Sequence, residues 1–298
     1  MIRLGVDFGG TKIEAAALAA DGEVLARERL ANPGNYQDAI EVVAKLVGLI
    51  EAQTGQSGLP VGVGVPGSIS PVSGLMRNAN SVWLNGRPFR EDLERRLGAS
   101  VRLRNDADCF TLSEAIDGAA AGASSAFGVI IGTGCGGGVA VNGRLLESPN
   151  GIAGEWGHTP LPWASEHEFG ATTCWCGRTG CLETWISGTG FADDYRRGTG
   201  RSEAGPGIVA AAEAGDSQAA VALDRYVSRL ARGLAVICDI LDPAVIVLGG
   251  GMSKVEALYR RLPEAIAGHV FADRFVTPVV KARWGDSSGV RGAAWLWP

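Results

Sequence analysis

Two stretches of this chain open in the same way, and that repetition constrains the fold more than any other feature. The first runs from a strand at Ile2–Asp7, apolar at Ile2, Leu4 and Val6, through a tight GGT turn to a second strand at Lys12–Leu18. Asp21-Gly22 then makes a hairpin turn into Glu23–Leu30. The second stretch repeats the order: a strand at Ala126–Ile131, the turn GTGCGGG, a strand at Val139–Val141, and Asn142-Gly143 turning into Arg144–Glu147. A supersecondary unit used twice predicts two lobes of common architecture. In the first, a helix follows with Ile40, Val43, Val47 and Ile50 on one face, then buried strands VGVGV (61–65) and VRLRN (101–105), and a helix over Ala107–Ala121. In the second, a long helix over Gln218–Ile240 precedes the strand VIVLGGG (245–251). Each lobe is expected to be a mixed sheet covered by helices, an α/β class. The expected lobes are residues 1–118 and 119–286, with an insertion at 149–187 rich in Gly, Pro, Trp and Cys. Symmetry suggests that a terminal helix over Ser287–Trp297 packs back on the first lobe.

A length of 298 residues suits two packed lobes. The net charge of −5 comes from acids and bases mixed along the chain, which speaks against a nucleic acid or anionic membrane partner. The start MIRLGVDFGG lacks the charged and apolar regions of a secretory signal, and apolar runs are strand-length, so a cytoplasmic protein is expected. In that setting six cysteines argue against a disulfide framework. Cys109, Cys135 and Cys238 read as small core residues.

Three glycine-rich turns, DFGGTK (7–12), IGTGCGGG (131–138) and LGGG (248–251), could bring backbone N–H groups close to phosphate oxygens, or could only turn the chain. Asp7, at the end of a buried strand beside such donors, suits a water-mediated Mg²⁺ site and tips the balance toward phosphate. No turn matches the P-loop pattern. The glycines at Gly62, Gly64 and Gly67 match a dinucleotide motif, but Pro66 and SISP bar the helix it requires, so an NAD-dependent dehydrogenase is disfavoured.

RNDAD (104–108) lies where a strand ends and a helix begins, the usual ligand-binding end of such sheets. Asp106 is the candidate general base for a hydroxyl attacking a γ-phosphate, with Asn105 holding a neighbouring hydroxyl. Helix capping is the alternative for Asp106 and the preferred reading for Asp108. CWCGRTGCLE (174–183) supplies Cys174, Cys176 and Cys181; with His158 they make a Cys₃His set, the composition of a closed structural zinc site. Glu155 and Glu183 flank these ligands and are expected to face the cleft and bind sugar hydroxyls, rather than to be surface acids.

DFGGTK, GVPG, NDAD, IGTGCGGG, EWGH, CWCGRTGCLE and VIVLGGG, in this order over nearly the whole chain, resemble the ROK family of bacterial sugar kinases and repressors. GSISPVSGLMRNANSVWLNG (67–86), GEWGHTPLPW (154–163) and GDSSGVRGAAWLW (285–297) look most like its fructokinases, also described as manno(fructo)kinases. The resemblance implies an actin-like (ribonuclease H-like) fold, a homodimer, and transfer from ATP with Mg²⁺ to a hexose 6-hydroxyl. It puts the base at Asp106 and sugar contacts at Asn105, Glu155, His158 and Glu183, so that His158 serves both zinc and sugar. Gly67 and Asn80 are expected beside them, and Asn80 and Trp83 in the loop Asn78–Gly86 are candidates for choosing the hexose. The ATP contacts would be Asp7, Gly9, Gly10, Thr11, Lys12, Thr133, Gly134, Gly249, Gly250 and Gly251. The segment between His158 and Cys174 is longer than in many members, a departure that bears on the zinc loop. Fructose is the leading substrate, possible also with mannose; glucose or N-acetylglucosamine, or a non-catalytic zinc-stapled sugar-binding module, are the alternatives. A family repressor would need a helix-turn-helix domain ahead of the first strand, which begins at Ile2.

Overall fold

The computed structural model describes residues 2–298. Its first part contains β1 (Arg3–Phe8), β2 (Lys12–Leu18), β3 (Val24–Ala31), α1 (Tyr36–Thr54), β4 (Val61–Val65), the short hairpin β5 (Ser68–Ile69) and β6 (Met76–Arg77), α2 (Phe89–Leu97), β7 (Val101–Asn105) and α3 (Asp106–Ile116). There follow β8 (Ser125–Ile131), β9 (Cys135–Val141), β10 (Arg144–Leu145), α4 (Glu183–Ile186), α5 (Gly188–Thr199), α6 (Gly205–Glu213), α7 (Ser217–Leu241), β11 (Val245–Gly249), α8 (Glu256–Ala267), β12 (Val279–Lys281) and α9 (Ser288–Ala294). The two large sheets have the orders β3-β2-β1-β4-β7 and β10-β9-β8-β11-β12. In each, the first two pairings are antiparallel and the last two parallel, so the duplication read from the sequence is present strand for strand. Among the described residues no helix is long and apolar enough to cross a membrane.

The alternation in VGVGV explains how the first sheet is covered. Val61, Val63 and Val65 point into one core with Leu4, Val6 and residues of α1 and α2. Gly62 and Gly64 point the other way, where a side chain on Gly62 would overlap the Ala293 carbonyl of α9 and one on Gly64 would press on Cys109 of α3. Helices therefore approach this face backbone to backbone.

The same device corrects the reading of the second glycine run. Gly136, Gly137 and Gly138 do not form a turn; they lie inside β9, which begins at Cys135 and pairs with β8. A side chain on Gly138 would overlap Thr111 of α3, and one on Gly136 would come 3.0 Å from Ala107. The strand is glycine-rich because α3 crosses it at close range. The helix itself ends at Ile116 instead of Ala121, since the buried Glu114 carboxylate turns back to accept the Ala119 N–H at 2.8 Å.

The insertion is anchored on α7 by a buried ion cluster. Glu168 accepts from Arg229 Nε at 2.7 Å and from Arg232 at 3.0 Å, while Arg232 also donates to the carbonyls of Pro162 and Trp163. Burial works to raise the Glu168 carboxyl, but the hydrogen bonds from Arg232 and Arg229 outweigh it and hold the group at about 2. Glu168→Gln is expected to cost about 3 kcal/mol in urea unfolding, because it leaves Arg232 buried without a carboxylate. With the folded pKa depressed, this contribution is present above pH ~4 and lost as pH falls toward 2.

Candidate active site

β7 delivers Asn105 and Asp106 to the floor of the cleft between the two sheets. Asn105 is the cap of α3: its Oδ1 accepts the Ala107 N–H at 2.9 Å, and its Nδ2 donates to the Gly67 carbonyl at 3.1 Å. Gly67 has φ +81, and a side chain there would meet the Arg77 carbonyl at 2.5 Å. With the cap held by Asn105, Asp106 need only share that N–H, at 2.8 Å. Its residue surface is open to solvent, as a reacting group requires. The surrounding cleft walls still strip away bulk water, and this, with Glu155 across the cleft, pushes the carboxyl up to about 6. Asp7, at the carboxyl end of β1, is raised to about 7 by burial and by the charges of Asp106 and Glu14. Two mutually repelling carboxylates on one cleft floor are the donor chemistry that suits a divalent cation.

Gly10 and Thr11 are exposed in the β1–β2 turn, and Asn32 braces it by donating Nδ2 to the Gly9 carbonyl at 2.7 Å. Lys12 begins β2 and is half-buried. Thr133 is exposed in the matching β8–β9 turn, where the Gly132 carbonyl accepts the Gly188 N–H at 2.8 Å. Of the three glycines ending β11, Gly249 is buried and makes room for the Phe110 ring. Gly250 has φ +80, and Gly251 is exposed.

His158, Cys174, Cys176 and Cys181 come together with their ligand atoms all within 4.8 Å of one another. A tetrahedron with zinc–sulfur bonds of about 2.3 Å has sulfur–sulfur edges of about 3.8 Å. Cys176 Sγ and Cys181 Sγ are 3.7 Å apart, and Cys174 Sγ is 3.6 Å from His158 Nδ1. These four side chains fit a zinc ion. His158 Nδ1 faces the thiols while Nε2 turns to Glu155, 4.0 Å from Oε2. Glu155 is half-buried and its carboxyl is raised by burial, against the pull of His158.

Glu183 is pinned from both sides. Its Oε2 accepts the Cys135 N–H at 2.9 Å, next to the exposed turn at Thr133, and its Oε1 accepts the Trp175 indole N–H at 2.7 Å. The Trp175 ring also meets His158 edge-on, with centroids 5.1 Å apart. Reading the sequence for donors and acids passed over Trp175, Cys135 and Asn32, although the position of Trp175 inside C-x-C was a signal in hand. Trp175→Phe keeps an aromatic ring, though a smaller one, and removes the N–H. It is expected to loosen Glu183 and lower stability in urea unfolding by about 1.5 kcal/mol with the metal content unchanged, in line with loss of one charge-assisted hydrogen bond. Asp108, expected to be a cap, takes none of the capping bonds; half-buried and crowded by protein, it is raised to about 7. Asn80 is exposed in the loop after β6, and Trp83 packs edge-on against Phe8.

The ROK family profile matches residues 3–298. The chain is 39% identical to the N-acetyl-D-glucosamine kinase of Vibrio cholerae over 297 residues, covering 98% of each chain. It is 40% identical to the N-acetyl-D-glucosamine kinase of Photobacterium profundum, again over 98% of each. Among solved structures it superimposes on the ROK hexokinase of Thermus thermophilus with a TM-score of 0.87 and 31% identity, over 99% of this chain and 97% of that one. A ROK family glucokinase from Streptomyces griseus, solved with glucose and AMPPNP, matches with a TM-score of 0.81 and 25% identity over 99% of both chains. The repeated sheets and these likenesses give the actin-like two-lobed α/β fold, and the chain belongs to the ROK family.

Proposed function

We propose that this ROK sugar kinase transfers the γ-phosphate of ATP to the 6-hydroxyl of N-acetyl-D-glucosamine. The observation that carries the choice of sugar is the near-full-length similarity to N-acetyl-D-glucosamine kinases at 39–40% identity. Fructose, the leading expectation from the sequence blocks, has no support among these relatives, and the alternative takes its place.

In this reading Asn105, Glu155, His158 and Glu183 hold the sugar with Gly67 and Asn80 beside them. Asp106 accepts the proton of the 6-hydroxyl as that oxygen bonds to the γ-phosphorus and the bond to the leaving ADP oxygen breaks. The turns at Gly9–Lys12 and Thr133–Gly134, with Gly250 and Gly251, hold the nucleotide through backbone N–H groups. Gly249 serves packing. A bound Mg²⁺ supplies charge neutralisation at the phosphates, and Asp7 is the residue to hold it through water. A zinc on His158 and the three cysteines cross-links the insertion and fixes Glu155 and Glu183 around the sugar.

A coupled ADP-release assay over N-acetylglucosamine, glucose, mannose and fructose tests this. The highest kcat/KM is expected for N-acetylglucosamine. A preference for fructose would reinstate the fructokinase reading, and no turnover with any sugar would reject a kinase.

A further inference from the structure

Beside the sugar contacts lies a cavity of about 300 Å³ that the catalytic scheme does not use. It opens on Asn105 and Glu155, so it is continuous with the place where the sugar is held. Its walls come from the ends of β4 and β7 on one side and from the loop 146–155 that follows β10 on the other.

The lining combines three kinds of chemistry. Val65 and Leu103 are fully apolar and almost without solvent exposure, and Ala153 faces them from the second part of the chain. Ser68 and Arg104 bring hydrogen-bond donors. Asp108 brings an acceptor, and no protein group among the described residues donates to it. An acetamido group asks for this combination: an acceptor for its N–H, a donor for its carbonyl oxygen and an apolar wall for its methyl. A neutral hydroxyl, as glucose has at the same carbon, would leave the apolar wall wet and Asp108 without a partner.

We infer that this cavity is the subsite for the acetamido substituent of the sugar, with Ser68, Asp108 and Ala153 as specificity-determining residues. The inference rests on the reading of the chain as an N-acetylglucosamine kinase and goes further by assigning where the distinguishing group sits. The volume exceeds what one such substituent needs, since cavities of this size accept whole small ligands. Charge narrows the class of substituent. Even without Asp108, whose carboxyl is partly protonated near neutral pH, Glu147 and Glu155 outnumber Arg104 around the cavity, so a substituent bearing a carboxylate or phosphate is disfavoured and a neutral amide is preferred. Burial already holds the Asp108 carboxyl high, at about 7, which agrees with a group that has given up water without gaining a protein donor.

The test compares kcat/KM for N-acetylglucosamine and for glucose in the wild-type enzyme and in Ala153→Leu, which fills the cavity. The ratio of the two is expected to fall about tenfold or more, through the KM for N-acetylglucosamine. Ser68→Ala, which removes a donor at nearly constant size, is expected to move the ratio the same way and covers the case in which Ala153→Leu does not fold. Calorimetric titration of each sugar without nucleotide gives the same comparison as binding. A wild-type preference for N-acetylglucosamine with ratios within about twofold in both variants would overturn the subsite alone. A wild-type enzyme that phosphorylates glucose but not N-acetylglucosamine would overturn the proposed function, and the subsite with it.

Discussion

Asp106→Asn is expected to lower kcat between about a hundredfold and ten-thousandfold while the protein still folds and binds sugar. The amide keeps the size of the carboxylate and can still share the Ala107 N–H, so the start of α3 is undisturbed. Only the capacity to take a proton is lost. The wild-type profile of kcat/KM, which reports the free enzyme, should fall as pH drops through about 6, where the Asp106 carboxyl takes up its proton. The variant should lack that limb. Its stability should move in the opposite direction to its activity. Burial raises the folded pKa of Asp106 above its unfolded value near 3.8, so the folded state binds more protons between those two values. Its contribution to stability is therefore complete below pH ~4 and declines as pH rises to 6. Removing the charge should raise Tm at pH 7. A variant with near-normal kcat would take Asp106 out of the mechanism, and one with a lowered Tm would take out the account of its pKa.

The second large effect is expected at the metal. The wild-type protein should contain about one zinc per chain by elemental analysis, and Cys181→Ser should lose it. Cys181 is buried beside Leu182, and the other three ligands cannot close the tetrahedron without it. Binding of a structural zinc is worth about 10–16 kcal/mol in small zinc folds, so the loop would lose most of what orders it. Because Trp175 sits between two ligands and holds Glu183, the damage should reach the sugar as a KM raised on the order of 10- to 100-fold. Wild-type protein that purifies without zinc, or a metal-free variant with an unchanged KM, would contradict this.

The parts that the sequence made legible are those fixed by local pattern. The sequence shows β2 at its full extent, Lys12–Leu18, because turn residues bracket a short, mostly apolar run. Asn142 and Gly143 both adopt positive φ, as a two-residue hairpin turn demands. The four metal ligands were legible because three of them lie within eight residues. What escaped depended on tertiary neighbours. Gly136–Gly138 looked like a turn, since nothing local tells of a helix lying across the strand. α2 buries only Phe89 and Leu93 and was passed over, although its acidic first turn, basic last turn and Gly98 cap were visible. Asp108 read as a cap because any acid in a first helical turn does; that Asn105 had already taken the cap required the coordinates. Glu183 could be picked out as an acid, but not the two donors that aim it, which meet only when the insertion folds against β9.

The close seat of α9 has a consequence for how the protein is made. Gly5 and Gly62 accept the backbone of this helix without any side chain between, and Gly292 accepts the Cys109 carbonyl in the same way. Ser288 and the N–H groups of Arg283 and Trp284 complete the junction on Glu114, and Arg291 on Asp117. The strands that receive α9 are translated well before the helix that covers them. As the chain leaves the ribosome, the part of that face that α3 does not cover waits through the synthesis of more than two hundred intervening residues. Emergence of α9, rather than emergence of the first sheet, would then be the moment when the early-made half can reach its native packing, and a nascent chain stalled before Ser288 would be the species that a chaperone has most reason to hold.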